Sequence, residues 1–192
     1  LSWLRVHLEA RSSVGVATER LGLSGHSRGG KVAWIMMSED PTLASALAGI
    51  DPVDGNGGPL GTEEGIVDEA LHLPVPTLVV GTGLGPVPSG PFLPSCAPQG
   101  ENHEQFYDAS GPPAWHVVAV EYGHQDMLDD ETPDCGLVCS LCPAGPDRIG
   151  MRTLSAGLLT AFFRASLQGV DSAYEDLSST RQAPVQITVE SR

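Results

Sequence analysis

Basic residues are scarce: 10 Lys and Arg stand against 24 Asp and Glu, a formal net charge of -14. Such a surface repels phosphates and has few counterions to exchange with a polyanion, which argues against nucleic acid as a partner. No apolar run approaches the length of a membrane-spanning helix. A spanning segment is therefore not expected, while peripheral membrane contact stays open. Internal repeats are absent, which sets solenoids and propellers aside. Cysteine is sparse, 4 in 192 residues. Cys135, Cys139 and Cys142 cluster in a glycine- and proline-bearing stretch and Cys96 stands apart. No fourth ligand has suitable zinc spacing, so no metal is expected; a disulfide within the cluster and plain reduced thiols both stay open. The sequence opens on Leu1 inside a helix-like stretch, so a targeting segment is not assessed from it.

What is present suffices for one domain with a substantial core, at 41% hydrophobic content. The 23 glycines and 16 prolines imply many turns and long loops. Trp3, Leu4, Val6 and Leu8 suggest a partial helix over 1–9. A strand is expected over 19–24 and, over 29–38, an amphipathic helix that carries Val32, Ala33, Ile35 and Met36 and packs on the sheet. Further strands are expected over 44–51, 74–81 and 115–122. Met151, Leu154, Leu158, Phe162 and Ala165 recur at helical spacing up to Gly169. Continuous apolar strands separated by helices or long loops predict an α/β fold, a mostly parallel sheet with flanking helices on both faces. Residues 1–170 are read as part of one domain. Residues 171–192 are read as a polar C-terminal tail, with a weak alternation at Val185, Ile187 and Val189 compatible with an edge strand.

The chemistry centres on Leu21-Gly22-Leu23-Ser24-Gly25-His26-Ser27-Arg28-Gly29-Gly30-Lys31. A short apolar strand turns into a helix around one serine, in the G-x-S-x-G pattern of a nucleophile elbow. A nucleophile on such a turn sits in strained backbone, so Gly25 and Gly29 are both expected to be sterically required. The backbone N–H of Arg28, at the start of the following helix, is expected to help hold an oxyanion. Gly25 to Lys31 also satisfies G-x-x-x-x-G-K, with Asp51 as a mimic of a Walker B carboxylate. Val32, however, stands where a phosphate-binding loop needs a Ser or Thr for magnesium. Gly81-Thr82-Gly83-Leu84-Gly85 is no dinucleotide loop, because Pro86 and Pro88 leave no helix N-terminus to receive a pyrophosphate.

A serine hydroxyl needs a base, and the base needs an orienting carboxylate. In α/β-hydrolases the chain order is Ser, acid, His. Of 6 histidines, His124 follows the last apolar strand directly, where the fold delivers its base. His103 is the second choice, His26 is tied to the elbow, and His116 lies inside a strand. No carboxylate occurs from Thr82 until Glu101, so the acid is assigned to Asp51 at the end of the preceding strand, with Asp54 as the alternative.

With these residues laid out, the chain resembles the chlorophyllase family. The matching stretches are Leu23–Lys31, Gly49–Gly55, Val80–Gly85, Cys96–Pro98, Asn102–Glu104, Phe106–Tyr107, Tyr122–His124 and Asp126–Asp130, in the family's order. The resemblance implies an α/β-hydrolase that cleaves the phytyl ester of chlorophyll to chlorophyllide and phytol, with no cofactor and usually in the chloroplast. It implies Ser27, Asp51 and His124 as catalytic residues and a small-molecule ester, chlorophyll or a relative of it, as partner. Gln125 departs from the family, where a methionine is expected beside the base. A lipase or polyester-type esterase with the same three residues, and a non-catalytic chain that binds tetrapyrrole or a protein partner, are the alternatives. A complete α/β-hydrolase has earlier strands and a loop that supplies a second oxyanion donor. The sequence is accordingly expected to be only the C-terminal half of the full fold, with its elbow strand at a sheet edge and weak or no activity by itself.

Overall fold

The computed structural model describes residues 3, 7, 11, 15, 17, 19–55, 65–67, 70, 71, 73–90, 93–129 and 141–192. In chain order the elements are β1 (Gly22–His26), α1 (Arg28–Glu39), β2 (Ala46–Ile50), β3 (Thr77–Thr82), β4 (Pro88–Gly90), β5 (Leu93–Ser95), α2 (His103–Ala109), β6 (Ala114–Ala119), α3 (Arg148–Gln168), α4 (Ala173–Leu177) and β7 (Ile187–Ser191). Of the helix expected over 1–9, the described residues are Trp3 and His7, both helical.

The main sheet runs in the order β1-β2-β3-β6-β7. The first four strands are parallel, and β7 pairs antiparallel with β6. Parallel strands need covered faces, which is why β2 and β3 read as unbroken apolar runs. All six residues of β3 are buried. Because side chains alternate across a strand, these runs feed two cores. Ala48, Leu78, Val80 and Val117 pack with Leu158 and Phe162 of α3 on one face. Leu47 and Val79 pack with Trp34 of α1 and Phe106 of α2 on the other, where the Trp34 and Phe106 rings meet edge to face at 5.2 Å. β1 lies at one edge of the sheet among the described residues. No helix among them is long and apolar enough to cross a membrane.

The polar tail expected over 171–192 is instead built into the fold. Ala173 and Leu177 of α4 are buried against α3, while Ile187 and Val189 of β7 lean on the same core. The alternation noted at Val185, Ile187 and Val189 runs into this edge strand, which needs only alternate apolar residues, so the segment as a whole reads as polar. Gly169, in the left-handed region at φ 71°, ends α3 and lets the chain turn back. The helix α2 and the β4–β5 hairpin were not expected. For α2 the signal is a capping box: Asn102 Oδ1 accepts from Glu104 N at 3.0 Å, and Gln105 Oε1 accepts from Asn102 N at 3.1 Å.

Candidate active site

Ser27 alone joins β1 to α1, at φ 56° and ψ -129°. For a residue with a side chain, this conformation costs about 1–3 kcal/mol and persists only where its surroundings hold it. Here Ser27 N donates to Ile50 O at 3.1 Å, and Ser27 O accepts from Gly30 N at 2.9 Å and from Val53 N at 3.2 Å. A Cβ on Gly25 would run into the Gly29 carbonyl, so Gly25 is required. The same expectation for Gly29 is corrected, because open space surrounds it. The close approach falls one residue later: a Cβ on Gly30 would lie 2.6 Å from Pro52 Cβ. Arg28 opens α1, so its N–H belongs to the first helical turn, whose amides point outward beside Ser27.

The structure brings three of the sequence-expected residues together. Asp51 leaves the end of β2 at φ 42° and is wholly buried. His124, beyond β6, places Nδ1 2.6 Å from Asp51 Oδ2 and Nε2 2.8 Å from Ser27 Oγ. With Nδ1–H donated to the carboxylate, Nε2 is the basic nitrogen and accepts from the serine hydroxyl. Asp51 is held further by Thr82: N–H donates to Oδ1 at 3.0 Å and the hydroxyl to Oδ2 at 2.7 Å. These donors offset the cost of burying the carboxylate. A hydroxyl bonded to an imidazole whose far nitrogen is fixed by a buried carboxylate can lose its proton as it attacks a carbonyl.

Three supporting residues escaped the sequence reading. Thr82 sits in the Gly81–Gly85 string, whose role is to anchor the carboxylate. His26 Nε2 donates to the His124 carbonyl at 2.8 Å, with the two rings 4.7 Å apart. Burial, then the neighbouring His124, lowers the pKa of His26, which favours the neutral ring. Asp126 Oδ2 accepts from Gly123 N and Gly145 N, both at 2.7 Å, and fixes the loop on which His124 stands. That loop is tied again by a disulfide between Cys96 and Cys142. Neither of the two states left open for the cluster, a bond within it or reduced thiols, holds for Cys142, which pairs outside the cluster; Cys135 and Cys139 lie outside the described residues. Among the described residues no group of three or more side chains is arranged to hold a metal ion.

The rejected candidates have other partners. Asp54 forms a buried ion pair with Lys31, 3.2 Å from Oδ1 to Nζ. The lysine of the Walker-like string is thereby engaged inside the protein, facing an acid where a phosphate binder needs an open cradle. His103 Nδ1 lies 2.7 Å from His116 Nε2, and His116 Nδ1 lies 3.5 Å from Glu190 Oε2.

His116 also has a measurable consequence. Burial, then the nearby His103, lowers its pKa to about 4, against the opposing pull of Glu190 and Glu104. The unfolded chain, with an ordinary histidine pKa of 6.5, binds the proton first as pH falls. His116 thus contributes stability that is present above about pH 6.5 and drains away toward pH 4, by on the order of 3 kcal/mol. Thermal melts across that window should show the decline, and His116→Gln should flatten it. An equally steep decline in the variant would assign the effect to other groups.

A profile of the chlorophyllase family matches residues 1–192. Chlorophyllase-2 of Arabidopsis thaliana is 39% identical over 187 residues, covering 89% of this chain and 58% of that protein. Chlorophyllase-1 of Arabidopsis thaliana is 38% identical over 183 residues, covering 88% and 56%. A Citrus sinensis relative named chlorophyllase-1, chloroplastic, is 33% identical, covering 84% and 48%. The chain thus spans about half the length of these relatives. In fold it is similar to a ferulic acid esterase from Streptomyces cinnamoneus, with a TM-score of 0.61 at 22% identity, over 98% of this chain and 53% of that one.

Proposed function

The chain belongs to the chlorophyllase family, and on that premise we propose that it carries the nucleophile, acid and base of a serine carboxylic-ester hydrolase acting on the phytyl ester of chlorophyll. The observation that carries this reading is His124 bridging Ser27 at 2.8 Å and Asp51 at 2.6 Å. Ser27 Oγ attacks the ester carbonyl while His124 Nε2 takes the hydroxyl proton, and Asp51 stabilises the imidazolium. The oxyanion is held by the Arg28 N–H at the start of α1. The imidazolium then gives its proton to the departing phytol oxygen, leaving chlorophyllide as an acyl ester on Ser27. Water, deprotonated by His124 in turn, attacks that ester; the carboxylic acid leaves and the serine hydroxyl is restored. The Citrus relative's chloroplastic name supports the chloroplast as the place of work.

The test is labelling by a serine-directed phosphonate, made on the complete natural protein. Modification of Ser27 at one label per chain, with parallel loss of chlorophyll hydrolysis, is the expected result. An unlabelled Ser27 in folded protein would remove the nucleophile assignment. A chain that turns over simple aryl esters and leaves chlorophyll untouched would keep the serine chemistry and overturn the substrate.

A further inference from the structure

Lys31 is the sequence's single lysine and stands one helical turn beyond Ser27, on the inner side of α1. Buried lysines are rare because the ammonium loses its hydration, yet Lys31 is only 5% exposed. Its Nζ donates to the Asp54 carbonyl oxygen at 3.2 Å and makes an ionic contact with Oδ1 at the same distance. Asp54 is equally buried. Its Oδ2 accepts from Ile66 N at 2.8 Å and Val67 N at 3.1 Å, and its own N–H donates to Glu101 O at 2.7 Å. The nucleophile's helix is therefore cross-linked to the segment 51–54, which begins with Asp51.

That segment meets the helix at every residue from 52 to 54. Pro52 packs on Gly30, Val53 N donates to Ser27 O, and Asp54 reaches Lys31. Well-packed apolar residues would serve stability as well as a buried ion pair does, or better. An ion pair adds direction: it has one separation and one orientation, where an apolar contact can slide. Here there is something to register, since Ser27 and Asp51 both hold positive φ and His124 must reach both at hydrogen-bond distance.

We propose that Lys31 and Asp54 are positioning residues: their buried pair sets the spacing between Ser27 and Asp51 into which His124 fits. The inference rests on the relay assigned to those three residues above.

The test compares Lys31→Met/Asp54→Asn with the wild type, both as complete natural protein. The double variant removes both charges of the pair and leaves neither unpartnered, and the amide oxygen can still accept from Ile66 and Val67, so it should melt within a few degrees of the wild type. Its kcat is expected to fall about 10- to 100-fold with KM within about twofold, since the loss lies in alignment. Wild-type kcat in a double variant of wild-type stability would overturn the proposal. Should the double variant fail to fold, Lys31→Arg keeps the charge but changes the donor geometry; a smaller fall in kcat at unchanged KM is expected, and full kcat in that folded variant would overturn the proposal equally. Failure here is distinguishable from failure of the relay: a fully active double variant beside an inactive Ser27→Ala rejects only the positioning role, whereas an active Ser27→Ala rejects the relay.

Discussion

Ser27→Ala is expected to lower kcat by on the order of 10⁶-fold in the complete natural protein while leaving its circular dichroism and melting curve near those of the wild type. Among the described residues the hydroxyl bonds only to His124 Nε2, whereas Ser27's place in the turn depends on its backbone bonds to Ile50, Gly30 and Val53. Removing the oxygen removes the attacking atom and spares the scaffold. Ser27→Gly sharpens the expectation. At φ 56° a side chain costs about 1–3 kcal/mol, and glycine escapes that cost at the expense of about 0.4–1 kcal/mol of unfolded-state entropy. The glycine variant should thus be as inactive as the alanine variant but about 1 kcal/mol more stable, as read by denaturant or thermal unfolding. Strain released by deleting the nucleophile would mark this turn as one kept for chemistry at the expense of stability. Turnover within tenfold of the wild type in either variant would remove Ser27 from the mechanism.

What could be read from the sequence divides by the range of the interaction that causes it. The elbow is local: strand, tight turn and helix lie within about a dozen residues, and the steric demand on Gly25 is made by Gly29, four positions away. Asp51 and His124 were reachable because a parallel sheet places the ends of successive strands side by side, so chain order substitutes for distance. Thr82 escaped because its bond to Asp51 joins residues 31 apart, and a threonine at a strand end has no pattern of its own. The Cys96–Cys142 bond, spanning 46 residues, was out of reach for the same reason: spacing along the chain left the state of the cluster open, and pairing follows proximity in space. The error at Gly29 was finer: the motif marks two glycines, and the structure moves the second demand to Gly30, because Pro52 of the acid's loop presses there. The edge strand β7 was legible in the alternation of Val185, Ile187 and Val189, while the polar composition around it suggested a tail, since an edge strand half exposed to water is half polar by construction.

Asp51→Asn is expected to lower kcat about 10⁴-fold, and the hydrogen bonds around position 51 explain why the change of a single atom costs so much. Thr82 N–H donates to Oδ1, so the amide oxygen must keep that place and the amide NH₂ takes the place of Oδ2. That position faces both the Thr82 hydroxyl and His124 Nδ1. A threonine hydroxyl can rotate and accept instead. The imidazole can adapt only by moving its proton from Nδ1 to Nε2, which leaves nothing to accept the serine proton. The variant would hold the wrong tautomer in an otherwise undisturbed site. Its melting temperature should equal or exceed that of the wild type, because a wholly buried charge is gone. Thr82→Val separates anchoring from charge: the carboxylate keeps His124 and the backbone donor, and loss of one charge-assisted bond should cost about 10- to 100-fold. Steady-state kinetics on both variants beside their thermal melts would check the ordering. If Asp51→Asn retained turnover within tenfold of the wild type, another carboxylate would have to orient His124, and the alternative acid of the same loop, Asp54, is engaged by Lys31, Ile66 and Val67.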